Sequence, residues 1–343
     1  MFCAISLILC IVLVTPTPAT AQCNNDDPSV AITVQATPLP SFSVSSPLQR
    51  RFGRLEYLGG VTLTSSHKEF GGFSAIRVNP DGEHFISLSD RGWWLTGRLV
   101  HDGDKPTGMT ETRMAPMFGP SGRTLRAGGW YDTESLAERD GWLYVGIERL
   151  NRIMRYDFAH CGFKARATEY PPAAASRHAM FANLPANKGF EALTFAPEGG
   201  RLAGTLIAFS ERGLDQNGNL KAFLIGLDGT GETAEFSVKR RDDFDISDSA
   251  VLPSGDVLLL ERRFNWWTGI AMRLRRIPLN DIAPGALVDG PELLFADMTY
   301  HIDNMEGLSV HTINGAIILT LISDDNFSFL QRTLLLQFRL VDD

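Results

Sequence analysis

Short apolar runs rich in Val, Ile, Leu and Phe alternate with turn residues from about residue 54 onward, and sustained helical spacing is absent. The runs come in pairs. SAIRVNPDGEHFISLSD, ESLAERDGWLYVGIE, EALTFAPEGGRLAGTLIAFSE, DSAVLPSGDVLLLE and EGLSVHTINGAIILTLISDD each hold a turn signal between two runs, as at Asp140-Gly141 and Asn314-Gly315. Such signals between apolar runs mark β-hairpins. A third run follows each pair (WWLTGRLV, RIMRYDF, LKAFLIGL, IAMRLRRIPL, RTLLLQFRL), and a weaker fourth run closes most units. The positions that open the units, Ser74, Glu134, Glu191, Asp248 and Glu306, recur about every 57 to 60 residues, a period that signals a repeat architecture. Four antiparallel strands repeated around a ring predict an all-β chain folded as a five-bladed β-propeller. A six-bladed ring would need one more unit, for which Asp157 to Pro185 is the open stretch. The last unit lacks a fourth run, and RLEYLGGVTL (Arg54 to Leu63) resembles PELLFADMTY before the last inner strand. This N-terminal strand is therefore expected to close the ring and protect its edges.

The segments outside the repeat set the compartment. Residues 1–21 are apolar and end in small residues, which reads as a secretory signal. Pro16 and Pro18 interrupt it too early for a membrane span. An exported protein, periplasmic or extracellular, is expected. Residues 22–50 read as a polar tail or linker and 51–343 as the propeller. Beyond the signal only Cys23 and Cys161 remain, and whether they pair is open. The net charge of −8 argues against a nucleic-acid partner. A monomer is expected, and as its partner a small anionic or ester substrate.

Each second run ends in acids: Asp90-Arg91, Glu148-Arg149, Glu211-Arg212, Glu261-Arg262 and, in the fifth unit, Asp324-Asp325-Asn326. The first strand of a propeller blade lines the central channel, so the unit-opening acids would form one ring. The acids at the ends of the second strands would form another at the rim. Two unit charges about 4 Å apart repel by roughly 4 kcal/mol at an effective dielectric near 20. Protonation, a basic partner or a metal must relieve this. Successive strand residues point to opposite faces, so each arginine is expected to pair with a neighbouring blade rather than with its own predecessor. These pairs serve architecture as readily as chemistry. Calcium is the other relief, since it accepts six to eight oxygen ligands in flexible geometry. Glu148, Glu211, Glu261, Asp324 and Asp325 are the candidate metal ligands, and Glu134, Glu191 and Glu306 the candidate catalytic acids.

Lys188, three residues before Glu191, and His301, five before Glu306, are further candidates for substrate binding or acid–base work. A solvated lysine and a satisfied loop histidine are the plainer alternatives. The Trp93-Trp94 and Trp266-Trp267 pairs read as blade packing. Ser135 lacks a G-x-S-x-G elbow, and no CxxC, HExxH, P-loop or GxGxxG motif occurs.

KGFEALTFAPEG, LLLERRFNWWTG, DNMEGLSV and SDDNFSFLQRTLLLQFRL together resemble the phytase-like propeller family described by "esterase-like activity of phytase", over about residues 50–340. The resemblance implies calcium held by acidic residues and cleavage of phosphomonoesters. It makes Glu134, Glu191, Glu211, Glu261 and Glu306 metal or acid–base candidates, and Arg212, Arg262 and Lys188 phosphate-binding candidates. The DDPA-type acidic motif of true propeller phytases is approached only at Asp26-Asp27-Pro28-Ser29. An exported calcium-dependent hydrolase of a phosphate or carboxylic ester is the expectation. A non-catalytic binding propeller and a lactonase-type propeller, for which Asn304, Glu306 and Asn326 offer a mixed ligand set, are the alternatives.

Overall fold

The paired apolar runs become paired strands. In a computed structural model the chain forms five antiparallel sheets arranged as the blades of a propeller. The structure describes residues 22–341 apart from 131, 172–180, 182–183, 186 and 227–232; the expected signal segment, 1–21, lies outside the described residues. The inner strands are Phe73–Val78, Thr133–Arg139, Phe190–Phe195, Asp245–Val251 and Asn304–Ile313 in blades 1 to 5. Each touches the inner strands on both sides, and the fifth touches the first, so the ring is closed. The segment from Asp157 that was open for a sixth blade instead holds a short helix, Phe158–Cys161, and the outer strand of blade 2, Thr168–Tyr170.

Closure occurs where the sequence places it. Leu55–Ser65 pairs with Thr333–Leu340 and becomes the fourth strand of blade 5. The stretch expected as a polar tail is tied down further. Val30–Ala31 pairs with the outer strand of blade 1, and Val34–Pro38 with Leu55–Ser65. Edge strands need only backbone partners and one covered face, so polar sequence is no bar to pairing. Cys23 and Cys161 form a disulfide, Cα to Cα 5.4 Å, which fastens this segment to blade 2.

The apolar core is divided in five, one layer between each pair of adjacent blades. Leu88 and Trp94 of blade 1 meet Leu136 and Val145 of blade 2, for example, and Ile207 of blade 3 meets Val257 of blade 4. This follows from strand alternation: both faces of each sheet are covered by neighbours. Trp94 is fully buried edge-on to Tyr156, as expected of a packing residue. Trp266 and Trp267, expected to pack likewise, are 90% and 94% exposed. They occupy the turn between the second and third strands of blade 4 rather than a strand.

Candidate metal and active site

A β-bulge sits near the start of every inner strand. The pairing skips one residue: Ser74 in blade 1, Glu134 in blade 2, Glu191 in blade 3, Ser247 in blade 4 and Glu306 in blade 5. A bulge leaves one residue outside the ladder and re-aims its side chain. Three of the five bulged residues are thus the glutamates singled out by spacing. Asp248 is a correction. Its spacing fits the repeat, but the bulge falls one residue earlier, and a one-residue slip turns a side chain to the other face. Asp248 instead lies deeper in the channel, gripped by Arg77 of blade 1 at 2.8 and 2.9 Å.

The residue after the second-strand partner of each bulge forms the rim. Following the pairing registers, these are Asp90, Glu148, Glu211, Arg262 and Asp324. Blade 4 therefore presents its arginine inward and its acid outward, the reverse of blade 3. Glu261 is fully buried and bound by Arg275 at 2.6 and 2.7 Å and by Arg273 at 2.6 Å. Three of its roughly four lone-pair directions are thus taken by guanidinium. Asp325 likewise turns away: it accepts from the Gly72 and Phe327 amides at 3.0 Å and from Thr333 Oγ1 at 2.9 Å. Arg212 faces outward and pairs with Asp245 of blade 4. His301 lies in the segment before the blade 5 inner strand, where burial and Arg332 depress its pKa.

Arg262 is the hub of the inward set. Its Nη2 lies 3.6 Å from Glu191, 3.4 Å from Glu211 and 3.3 Å from Glu306, while its buried Nε has no hydrogen-bond partner. Lys188 Nζ contacts Glu211 at 2.5 Å. Asn304 donates to Glu306 at 2.7 Å, and the Gly189 amide to Glu148 at 3.0 Å. Among the described residues, two carboxylate triads remain whose oxygens come within 4.8 Å of one another: Asp132, Glu134 and Glu148, and Glu148, Glu191 and Glu211. They share Glu148, and the second is the one that Lys188 and Arg262 already neutralise in part. In the first, Arg149 lies 3.9 Å from Asp132. An all-oxygen donor set of this kind suits a hard divalent cation. Ser74 Oγ, buried at the bulge position of blade 1, lies near the Glu134 carboxyl but outside good hydrogen-bond geometry and has no other partner among the described residues. It is a further oxygen unspent by the fold. Asp132 was not singled out from sequence, although it stands two residues before Glu134.

A family model described as "Phytase-like: Esterase-like activity of phytase" matches residues 68–327. The chain belongs to the phytase-like family. That membership fits a propeller hydrolase, and the buried acidic cluster of this phytase-like chain could bind a metal ion. No curated protein matches. Among solved structures the phytase-like chain is similar to Myxococcus xanthus glutaminyl cyclase, at 13% identity, 85% of this chain, 100% of that chain and a TM-score of 0.42. It is also similar to the tail fiber of Staphylococcus aureus phage P68, at 10% identity, 84% of this chain, 53% of that chain and a TM-score of 0.44. These likenesses are distant.

The crowding shows in the acidities. Burial, then Glu211 and Asp132, pushes Glu148 up to about 8. Burial raises Glu134, with Glu306, Glu148 and Asp90 adding to it, and raises Glu191, with Glu211 and Glu134 adding. Burial lifts Asp90 to about 6 and raises Asp324 and Glu306. Arg262 is held charged by Glu306, Glu191 and Glu211 although its burial opposes this.

These shifts set a pH dependence. A carboxyl that keeps its proton to higher pH in the folded state loses stability as pH rises toward its folded pKa. Buried His311 works oppositely: its pKa is lowered to about 4 by burial, so its contribution changes only below about 6.5. Between pH 6.5 and 8 the carboxylates act without His311. In chelator the melting temperature should fall across this window, with Glu148 alone contributing on the order of 2 kcal/mol. Scanning calorimetry at both pH values checks it. A melting temperature that is flat or rises would show that the cluster is already neutralised from within.

Proposed function

We propose that this phytase-like propeller is an exported, metal-dependent hydrolase of a small anionic ester, phosphate or carboxylic, acting at the axial mouth as a monomer. The observation that carries the reading is a linked cluster: the triad Asp132, Glu134 and Glu148 shares Glu148 with the triad Glu148, Glu191 and Glu211, whose Glu211 is contacted by both Arg262 and Lys188. Acids that need a cation and cations that need an anion are gathered together. Calcium, as a hard cation, is the expected ion. When bound it would supply positive charge to polarise the ester oxygen and make water more acidic. Asp132, Glu134 and Glu148 would hold it. Arg262, whose Nε is unspent, would bind and orient an anionic oxygen of the substrate, with Lys188 beside it. Glu191, whose affinity for a proton is raised by burial and then by Glu211 and Glu134, would hold a proton for the departing oxygen. Glu306, fixed by Asn304, would position Arg262. The disulfide supports an oxidising compartment.

One observation favours a second reading, a binding propeller without turnover. Arg262 already sits within 3.6 Å of three glutamates, so part of the cluster is balanced internally. Assay of the purified protein on p-nitrophenyl phosphate and p-nitrophenyl acetate, with calcium or with chelator, separates the two. Calcium-dependent hydrolysis that Glu191→Gln abolishes with folding intact supports the enzyme. Calcium-dependent melting without turnover supports the binder, and no calcium effect on either removes the metal.

A further inference from the structure

We propose that Arg91, held against the ring of Phe327 at the blade 1 side of the mouth, binds the anionic group of the substrate and selects anionic esters over neutral ones. The substrate is that of the hydrolase reading above, on which this assignment rests. Arg91 is one of four arginines that follow a blade-end acid, and the other three are engaged. Arg149 lies near Asp132, Arg212 pairs with Asp245, and Arg262 sits among Glu191, Glu211 and Glu306. Lys188 contacts Glu211 and Arg332 lies 3.6 Å from Asp303. The Arg91 guanidinium, by contrast, makes no hydrogen bond and no ion pair among the described residues. Its one close contact is the Phe327 ring, and Asp90 feels its charge through space.

The perch for this arginine is specifically constructed. The guanidinium carbon lies 3.2 Å from the centroid of the Phe327 ring. Stacking on an aromatic face leaves the N–H fork free at its edges. Phe327 stands at φ +50°, after Asn326 at +48°, a region that a bulky side chain avoids. Such strain persists only where the surroundings impose it, and it clusters at functional sites. Here Asp325 imposes it. Its Oδ1 accepts from the Phe327 and Gly72 amides at 3.0 Å, and its Oδ2 from Thr333 Oγ1 at 2.9 Å. Gly72, at φ +61°, has to lack a side chain, because a Cβ there would collide with both Phe327 Cε2 and Asp90 Oδ1. The ring is thus wedged beside the rim acid Asp90, which brings Arg91 to the edge of the carboxylate cluster. Packing between blades asks only for apolar contact and not for a strained backbone that parks a cation at the rim. An unspent guanidinium fork matches two oxygens of a phosphate or carboxylate. Arg262 then holds the substrate from blade 4 and Arg91 from blade 1.

Calorimetric titration with phenylphosphonate, in calcium, tests this without turnover. The wild-type protein should bind, and Arg91→Gln should bind about tenfold more weakly, the loss of one charge-assisted contact. Arg91→Lys keeps the charge but not the fork and should recover only part; it carries the comparison where Arg91→Gln does not fold. Phe327→Leu, with Arg91 intact, should weaken binding severalfold. In turnover, Arg91→Gln should raise KM for p-nitrophenyl phosphate about tenfold and leave KM for p-nitrophenyl acetate unchanged. A residue that only packs blades together would lower the melting temperature and move both substrates alike. No binding of phenylphosphonate by the wild-type protein, equal binding by Arg91→Gln, or a parallel rise of both KM values would overturn the proposal. Binding that depends on Arg91 without hydrolysis of either ester supports the anion site and removes the hydrolase reading. Hydrolysis of the acetate without phenylphosphonate binding does the reverse.

Discussion

Arg77→Met is expected to cost about 3–5 kcal/mol of folding stability, as breaking one side of a buried ion pair does. Arg77 leaves the inner strand of blade 1 and crosses the channel. It grips both oxygens of Asp248 in blade 4 and donates to Leu308 O of blade 5 at 2.8 Å and Leu193 O of blade 3 at 3.2 Å. One guanidinium thus ties four blades together. Asp248 is fully buried and also takes the Leu308 and Ser249 amides, both at 2.7 Å. Without Arg77 its carboxylate would be left charged in a closed space, or would have to take up a proton. Denaturant unfolding measures the loss. The double variant Arg77→Met/Asp248→Leu should recover much of it, because the uncompensated charge goes with its partner. A single-variant loss below about 1 kcal/mol, the level of an exposed pair, would show that the lock carries no weight.

Glu148→Gln should act in opposite directions on stability and on function. Glu148 belongs to both triads and is crowded by Glu211 and Asp132. Glutamine keeps the oxygen that accepts the Gly189 amide but removes a charge, so the metal-free protein should become more stable at pH 8, by on the order of 1–3 kcal/mol. The same change removes a ligand common to both triads. Calcium should then no longer raise the melting temperature, and calcium-dependent hydrolysis should fall by about two orders of magnitude or more. This opposition is the mark of a site whose strain is kept for function. A variant that loses stability in chelator would contradict the repulsion on which the site's reading depends.

The fold was readable because its signals are repeated and local. Turn dipeptides, apolar pairs and the likeness of Arg54–Leu63 to the segment before Glu306 survive in single residues, and the pairing of Leu55–Ser65 with Thr333–Leu340 follows from them. The site was readable only as far as the bulges stayed in step with residue type. Glu134, Glu191 and Glu306 meet both conditions. In blade 4 the bulge falls on Ser247, where no acid draws attention, and acidic Asp248 stands beside it. The same single-residue offset exchanges Glu261 for Arg262, and in blade 5 the rim position is Asp324 rather than Asp325. A bulge adds no residue type of its own, so sequence pattern alone does not reveal its position. The Trp pairs show a related limit: identical dipeptides fall inside a strand in blade 1 and on a turn in blade 4, and only strand length decides which.

The closing strand has a bearing on how the molecule comes into being. Leu55–Ser65 is synthesised before the strands of blades 1 to 4 and its partner Thr333–Leu340 after them. Blades 1 to 4 can each form from contiguous chain, but blade 5 must wait for both extremes, a contact of very high sequence separation and so of slow formation. Until then the ring is an open arc with two raw edges. Trimming Thr333–Leu340 would therefore strand the whole arc in that state, and the molecule should be most vulnerable to aggregation and proteolysis in the interval before this eight-residue strand arrives.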